Sequence, residues 1–230
     1  MHIAGLQKLT LLDFPGRLAC TVFLPGCNLR CPFCHNASLV LPREDTPPPM
    51  TADELLDFLR KRKGRLQGVC ITGGEPTLHG DLPHLLREIH ALGYEVKLDT
   101  NGTNPTLLRH ILQENLADYV AMDIKNSPQR YAETCGGAEV LDKVRESVAL
   151  MMESGVDYEF RTTLVCPLHT ADDMTAIGEW IRGAKRYFLQ QFIDSGDIIG
   201  EGLWAPDADE MEAMRQKVLP YIENTELRGV

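Results

Sequence analysis

Three cysteines lie close together in a loop that follows a short apolar run. Cys27, Cys31 and Cys34 are four and then three residues apart, and Pro25 and Gly26 precede them. Thiolates this close in sequence can converge on one soft metal centre. Because a [4Fe–4S] cluster normally takes four cysteines, a loop that supplies three leaves one iron free to bind a substrate or cofactor. The spacing therefore predicts a catalytic iron–sulfur site, which keeps one coordination position open where a structural site is closed.

A zinc site is the alternative for this loop, with His35 or a distant cysteine as the fourth ligand. Zinc knuckles and ribbons usually carry a second C-x2-C or H-x3-H pair, and none follows in this sequence. Such a site would make the chain a non-catalytic zinc-binding or cluster-binding module. The two interpretations therefore differ in the class of function, an enzyme against a binding module.

The other cysteines and most histidines are predicted to have no role at this site. An auxiliary cluster would need four grouped thiolates, whereas the remaining cysteines are scattered singly. Cys20 and Cys70 are interpreted as small buried strand residues, and neither Cys135 nor Cys166 has a near neighbour. No two of the later histidines have metal-ligand spacing, and we interpret them as solvated residues of loops and polar helix faces: His79, His84, His90, His110 and His169.

The composition limits the classes of function. A length of 230 residues with 43% hydrophobic content predicts one domain, residues 1–230, with a sizeable core. A formal charge of −10 argues against non-specific nucleic-acid binding, which depends on Lys and Arg at phosphates. No apolar run approaches the length of a membrane span, and the N-terminus lacks the features of a signal peptide. We therefore expect a cytoplasmic protein with reduced cysteines, which suits an iron–sulfur cluster.

The hydrophobic pattern predicts strands and helices in turn along the chain. The first elements are an N-terminal arm at 1–18, a core strand at 19–24, the cluster loop at 25–37 and a Pro-rich connection at 42–50. Further strands are predicted at 68–72, 94–98, 118–122, 157–165 and 187–193, with amphipathic helices between them and a C-terminal helix at 207–222.

Strict alternation of about six strand–helix units is typical of an α/β fold with a parallel sheet and right-handed crossovers. Six units are too few for a closed barrel of eight strands. We therefore predict a partial (β/α)6 barrel of the TIM type. In such barrels the chemistry lies at the C-terminal ends of the strands.

Polar motifs stand at the ends of the predicted strands. They are Thr72-Gly73-Gly74-Glu75-Pro76, Asp99-Thr100-Asn101-Gly102 and Asp123-Ile124-Lys125, whereas Arg161 lies inside the strand predicted at 157–165, in an apolar run. Two glycines let a backbone approach a ligand closely, and Asp, Thr and Asn oxygens can bind a ribose hydroxyl, an ammonium group or a small hard cation. Asp123 needs a partner, and Lys125 lies two residues on, on the same strand face. For Arg161, a carboxylate of a bound ligand and a structural ion pair remain open alternatives.

The C-x3-C-x2-C spacing, with Phe33 before the last cysteine, resembles the cluster loop of the radical S-adenosylmethionine (SAM) superfamily. The Gly73-Gly74-Glu75-Pro76 run resembles the Gly-Gly-Glu-Pro motif of the same enzymes. The resemblance implies the partial barrel, a [4Fe–4S] cluster and SAM chelated to the free iron through its amino and carboxylate groups. It also implies reductive cleavage of SAM to a 5′-deoxyadenosyl radical that abstracts a hydrogen atom.

Two later motifs narrow the resemblance to one group of enzymes within this superfamily. Asp99-Thr100-Asn101-Gly102 followed by Asp123-Ile124-Lys125, in a chain this short, is similar to the activases of glycyl-radical enzymes. Residues 5–16, Cys34-His35-Asn36 and Gln190-Gln191-Phe192 are most similar to the branch that activates anaerobic ribonucleotide reductase. That branch implies a protein substrate with a C-terminal glycyl-radical loop and an electron donor of the flavodoxin or ferredoxin type. A different glycyl-radical enzyme or a peptide is the alternative substrate.

The resemblance also implies a role for each motif residue. The cluster would be held by Cys27, Cys31 and Cys34, the amino end of SAM would be lined by Gly73, Gly74 and Glu75, and the adenine would lie near Phe33. A monovalent cation, Na⁺ or K⁺, would be held against the carboxylate of SAM by Asp99 and Asp123, with oxygens from Thr100 and the backbone of Ala121. The remaining contacts to SAM would come from Asn101, Lys125 and Arg161.

The sequence departs from related activases in two places. The pyruvate formate-lyase branch has a histidine near the last strand that contacts SAM, whereas this chain has Gln190-Gln191-Phe192-Ile193 there. Gln191 is the predicted substitute. A cluster-rich insert found in other activases is also absent from the sequence, which argues against the branches that act on hydroxycarboxylate or aromatic substrates.

Overall fold

The computed structural model describes residues 1–41 and 49–230, so most of the connection predicted at 42–50 lies outside the described residues. The strands are β1 (His2–Ile3), β2 (Gly5–Thr10), β3 (Ala19–Leu24), β4 (Met50–Thr51), β5 (Gly68–Gly73), β6 (Glu95–Thr100), β7 (Tyr119–Asp123), β8 (Asp157–Leu164), β9 (Tyr187–Gln191) and β10 (Thr225–Arg228). The helices are α1 (Ala37–Val40), α2 (Ala52–Arg62), α3 (Leu82–Ala91), α4 (Pro105–Gln113), α5 (Tyr131–Thr134), α6 (Leu141–Glu153), α7 (Ala171–Trp180) and α8 (Ala208–Val218).

One sheet organises the described part of the chain. Its eight strands follow the order β10-β9-β8-β7-β6-β5-β3-β2. The strands from β3 to β10 in this sheet run parallel, and β2 is antiparallel to β3 at one edge. No pairing joins the two edge strands within the described residues, so the sheet stays open. The predicted α/β class with an open, partial barrel is confirmed.

The strands and helices form for the reasons that the pattern indicated. β3, β5 and β7 are almost wholly buried, as expected for parallel strands covered on both faces. Helix α2 begins with a capping box, in which Thr51 Oγ1 accepts from Glu54 N at 3.2 Å and the Glu54 carboxylate accepts from Thr51 N at 2.8 Å. Its leucines pack inward at Leu55, Leu56 and Leu59. Each helix is thereby held against the sheet by an apolar face.

Strand β10 was not predicted. Its sequence, Thr-Glu-Leu-Arg, has only one large apolar residue, so it lacks the pattern of a buried strand. It pairs in parallel with β9 from Thr225 opposite Tyr187 to Arg228 opposite Gln190. Its position is therefore set by pairing with β9, which no local pattern encodes. No helix among residues 1–41 and 49–230 combines the length and the apolar character that crossing a bilayer requires.

Candidate active site

The cysteine loop and the C-terminal ends of β5 to β8 surround one cavity of about 220 Å³. Apart from Gln191, every residue for which the sequence predicted cluster or SAM binding lines it: Cys27, Cys31, Phe33, Cys34, Gly73, Gly74, Glu75, Asp99, Thr100, Asn101, Asp123, Lys125 and Arg161. They converge because parallel strands place their C-terminal ends at the same edge of a sheet.

Two residues with minor predicted roles lie elsewhere. Ala121 is inside β7, paired in register with Asp99 on β6 and Glu159 on β8, and does not line the cavity. Gln190 lines the cavity, whereas the Gln191 amide donates to the Pro206 carbonyl at 2.8 Å. Successive residues of a strand face opposite sides, which explains why only one of the two glutamines reaches the cavity.

The three cysteines of the loop are free thiols that face the cavity. Leu29 N donates to Cys27 Sγ at 3.4 Å, and Asn101 Nδ2 donates to the same sulfur at 3.7 Å. In the described ranges, no three His, Cys, Asp or Glu side chains are grouped to hold a single metal ion. Three soft donors in one loop at the cavity wall are the donor set that an iron–sulfur cluster takes. The residues present therefore fit a [4Fe–4S] cluster.

The two glycines after β5 allow the cluster loop to pack directly on the sheet. Gly74 N donates to Leu24 O at 2.9 Å, and Glu75 N donates to Gly26 O at 2.8 Å. A Cβ on Gly74 would lie 1.9 Å from Gly26 O, which is far inside van der Waals contact. Asn36, to which the sequence assigned no individual role, donates from Nδ2 to Gly73 O at 3.0 Å. The loop and the Gly-Gly turn therefore form one rigid unit.

Gly74→Ala is expected to displace the cluster loop, because the clash is with backbone and not with a side chain that can turn away. The reconstituted variant should bind clearly less iron than the wild type and lose thermal stability. Gly80→Ala is the matched control, since a Cβ there meets nothing within 4 Å. Iron content after anaerobic reconstitution measures the effect. Equal iron in Gly74→Ala and Gly80→Ala would contradict the packing described.

Glu75 lines the cavity, but both its carboxylate oxygens already accept hydrogen bonds inside the protein. One oxygen accepts from Thr77 N at 3.0 Å and from Thr100 Oγ1 at 2.8 Å, and the other accepts from Asn101 N at 2.6 Å. Burial raises the pKa of Glu75, and these hydrogen bonds partly offset the rise. The side chain therefore ties the turn after β5 to the end of β6.

Asp99 and Asp123 are joined by Arg161. The guanidinium lies 3.2 Å from Asp99 Oδ2 through Nη1 and 3.0 Å from Asp123 Oδ1 through Nε. The strand register explains the contact, because Asp123 on β7 is paired with Arg161 on β8. The structure thus contains the ion pair that was one of the two alternatives for Arg161, and a contact to a ligand carboxylate stays a prediction.

Each aspartate has a second cationic partner two residues away in sequence, Lys97 within β6 and Lys125 just after the end of β7. Lys125 Nζ lies 2.8 Å from Asp123 Oδ2, and Lys97 Nζ contacts Asp99 Oδ1. Burial opposes the charge on Asp123, but Arg161 and Lys125 outweigh it and hold its pKa below the ordinary value. For Asp99, burial is likewise outweighed by Arg161 and Lys97, and its pKa is also lowered.

Lys97 was missed in the sequence. Its side chain is only 2% exposed, and it lies two residues before Asp99 on the same strand face. The same i, i+2 spacing that indicated the contact between Asp123 and Lys125 would have indicated this one.

The prediction that Cys135 has no near neighbour is wrong. Cys135 is fully buried, and its thiol lies close enough to that of Cys31 to perturb it. This neighbour lowers the pKa of Cys31, against burial, which raises it. The turn after α5 also packs on the cluster loop, where Arg30 N donates to Cys135 O at 3.3 Å. The 104-residue separation that hid this contact is spanned only when the sheet is assembled.

The prediction that His169 is solvated is also wrong. It is 3% exposed, its Nε2 lies 2.8 Å from Lys125 O, and its Nδ1 lies 3.2 Å from Val165 N. The Lys125 carbonyl can only accept, so Nε2 donates to it, and Nδ1 also lies 3.2 Å from Val165 O. His169 also meets Phe33 edge to face, with 6.1 Å between ring centroids. It thereby joins the loop after β7 to the cluster loop.

His79 and His90 are half-buried rather than fully solvated. His79 Nε2 lies 2.9 Å from Pro25 O, and His90 Nε2 lies 2.8 Å from Asp118.

Protonation of His169 is expected to destabilise the protein. Burial, partly offset by the bonds to Lys125 and Val165, lowers the pKa of His169 below the ordinary value near 6.5. Its contribution to stability is therefore complete above about pH 6.5 and is lost as the pH falls through the lower folded-state pKa.

The melting temperature of the wild type should therefore decrease when the pH is lowered from about 7.5 to about 5.5. The decrease should be smaller in His169→Gln, whose amide can still donate to Lys125 O. His84→Gln, on the exposed face of α3, should keep the wild-type slope. Equal slopes in all three proteins would contradict the assignment.

The comparisons with known proteins agree with this geometry. A family model described as the radical SAM superfamily matches residues 21–181. A Methanocaldococcus jannaschii protein described as a candidate glycyl-radical enzyme activating enzyme is 31% identical over 238 residues, which cover 99% of this chain and 96% of that protein. The pyruvate formate-lyase-activating enzyme of Staphylococcus epidermidis is 31% identical over 136 residues, covering 54% of this chain and 53% of that enzyme.

Solved structures share the fold at low sequence identity. Streptococcus suis SuiB bound to its precursor peptide SuiA has a TM-score of 0.71 and 18% identity, covering 95% of this chain and 50% of that one. Coproporphyrinogen III oxidase of Escherichia coli has a TM-score of 0.60 and 13% identity, covering 91% of this chain and 53% of that one. The chain thus spans about half the length of these proteins. With the family model matched over most of its length, the chain belongs to the radical SAM superfamily.

Proposed function

We propose that this protein is the activase of a glycyl-radical enzyme, and that its substrate protein is anaerobic ribonucleotide reductase. The observation that carries the proposal is the convergence of the three-cysteine loop and the strand-end motifs of an activase on one cavity. Similarity over 99% of the chain to a protein described as a candidate activating enzyme supports it. The similarity of residues 5–16 and of Cys34-His35-Asn36 to the ribonucleotide reductase branch supports the finer assignment.

In this proposal Cys27, Cys31 and Cys34 would hold the cluster. When bound, it would supply the electron for reductive cleavage of SAM, the chemistry needed to abstract a hydrogen atom from a glycine of the partner. Gly73 and Gly74 bring backbone close to the amino end of SAM. The cationic side chains in the cavity wall, Lys125 and Arg161, suit its carboxylate. Phe33, with Lys125 Nζ 6.0 Å from its ring centroid, offers a flat apolar surface for the adenine.

The glycine of the partner needs a lateral way into the cavity. The sheet is not closed between β2 and β10 in the described chain, and we propose that the glycine-bearing segment enters there as an extended peptide. Leu11 and Leu12 next to β2 are 73% and 90% exposed, and Ile193 after β9 is 64% exposed. These apolar side chains support a protein-binding surface on that side.

We further propose that the protein acts as a single domain in the cytoplasm and receives electrons from a flavodoxin or ferredoxin. All seven cysteines are free thiols, which suits a reducing compartment.

Transfer of the radical to the partner tests the proposal. The protein is reconstituted anaerobically with iron and sulfide, reduced, and mixed with SAM and the anaerobic ribonucleotide reductase of the same organism. The expected result is a glycyl-radical doublet by EPR and release of 5′-deoxyadenosine. A reductase whose radical-bearing glycine is replaced by alanine is the control, and it should give no doublet.

Pyruvate formate-lyase is tested in parallel, because the similarity to its activating enzyme in Staphylococcus epidermidis favours it as a second substrate. A doublet on pyruvate formate-lyase alone would overturn the ribonucleotide reductase assignment and keep the activase function. SAM cleavage without a doublet on either protein would contradict both.

A further inference from the structure

On the basis of the proposed placement of SAM in this cavity, we propose that Arg161 replaces a monovalent cation there. SAM binding by this protein then needs neither Na⁺ nor K⁺. The two carboxylates to which the resemblance assigns the cation are Asp99 and Asp123. In this chain the guanidinium of Arg161 lies between them, at 3.2 Å and 3.0 Å.

No carboxylate oxygen of this pair is left without a cationic partner. Arg161 contacts Asp99 Oδ2 and Asp123 Oδ1. Lys97 contacts Asp99 Oδ1, and Lys125 contacts Asp123 Oδ2. The cluster of five side chains therefore carries two negative and three positive formal charges, a net charge of +1. A small hard cation binds where several oxygens are available and negative charge is in excess. These five side chains offer neither unpaired carboxylate oxygens nor an excess of negative charge.

Displacing Arg161 to admit an ion would be costly. The guanidinium makes charge-assisted hydrogen bonds to both aspartates, and its side chain is only 14% exposed. Like charges repel strongly where water is largely excluded, so an added cation would meet Lys97 and Lys125 at short range.

The other acids of this region are also engaged. Glu159, whose charge also acts on Arg161, is paired with Arg228 at 3.0 and 3.1 Å. Glu75 accepts from Thr77, Thr100 and Asn101. The residues present therefore do not fit the cation that the resemblance implied. A net positive cluster suits the carboxylate of SAM directly, with Arg161 in the position of the ion.

The dependence of SAM binding on small cations tests this inference. Equilibrium binding of SAM to the reconstituted protein is measured in Na⁺, in K⁺ and in tetramethylammonium at the same ionic strength. In the wild type, exchanging the salt should change the dissociation constant by less than about twofold. In Arg161→Met, which uncovers the two aspartates, affinity should fall in tetramethylammonium and recover at least about fivefold in Na⁺ or K⁺. Arg228→Met, which removes an arginine from a different buried carboxylate, should stay insensitive to the salt.

The outcomes separate this inference from the proposed function. Wild-type binding that weakens about fivefold or more without Na⁺ or K⁺ would overturn the role of Arg161 and leave the activase proposal standing. A folded Arg161→Met protein that no small cation rescues would overturn it as well. Sodium NMR of the SAM-loaded wild type keeps the test decisive if the variant does not fold, because stoichiometric binding of Na⁺ would refute the inference. Absence of SAM binding in every salt would instead contradict the proposed site itself.

Discussion

Replacing Cys34 by alanine is expected to remove the iron–sulfur cluster and reduce SAM cleavage to the level seen without protein. A site built from three thiolates has no ligand to spare, so the loss of one leaves the cluster incompletely held. Cys34 is a better choice than Cys31, because Cys31 lies beside the buried Cys135, so that replacing Cys31 would also disturb packing behind the loop. The expected loss is complete rather than partial, since the electron for SAM cleavage comes from the cluster.

Two measurements check this expectation. Iron and acid-labile sulfide are determined after anaerobic reconstitution, and 5′-deoxyadenosine is assayed after reduction in the presence of SAM. Cys70→Ala is the matched control, because Cys70 is fully buried in β5 and does not line the cavity. It should retain both iron and activity. Normal cleavage of SAM by Cys34→Ala would refute the assignment of the cluster ligands. Zinc in place of iron in the wild type would favour a non-catalytic module.

Glu75→Gln is expected to lower both stability and SAM affinity, although it keeps the size of the side chain. Thr77 N and Asn101 N each donate to a different carboxylate oxygen of Glu75. An amide has only one oxygen, so its NH2 group must face one of these two backbone donors. A buried donor without an acceptor costs roughly 1–3 kcal/mol. The turn after β5 should separate from the end of β6, and both contribute to the wall of the cavity.

The effect is measured as the change in melting temperature and in the dissociation constant of SAM. For a chain of this size, each kcal/mol lowers the melting temperature by about 2–4 °C. Glu146→Gln provides the comparison, since Glu146 forms an exposed ion pair with Arg109 that contributes at most about 1 kcal/mol. If Glu75→Gln were as stable as Glu146→Gln and bound SAM equally well, the carboxylate would not be the tie between the two strand ends.

Much of the fold and most of the candidate site could be predicted from the sequence. The period of the apolar residues indicated the alternation of strands and helices, and parallel strands bring their C-terminal ends to one edge. Cys34, Gly74 and Asp99 were therefore expected at a common site although up to 65 residues separate them along the chain. All three residues line the same cavity in the structure, as expected.

Contacts between residues far apart in sequence could not be predicted in the same way. The thiol of Cys135 lies beside that of Cys31, and buried His169 is hydrogen-bonded to the carbonyl of Lys125. Neither residue has a motif around it, so each was interpreted from its local surroundings alone. Burial of a histidine or a cysteine depends on which surfaces pack together, and that is a property of the assembled sheet.

Asp99 and Asp123 show most clearly which features the sequence determines and which the tertiary structure decides. The sequence by itself determined that Asp99 and Asp123 stand at or near the ends of strands and that Arg161 stands inside one, because strand length and side-chain alternation are local properties. Only the tertiary structure decided that Arg161 bridges the two carboxylates. The register between β7 and β8 places Asp123 beside Arg161, and the inward faces of β6 to β8 bring Lys97 and Asp99 to the same cluster. Whether a carboxylate faces a metal ion or a guanidinium thus depends on the pairing of strands, which the residues on any one strand do not specify.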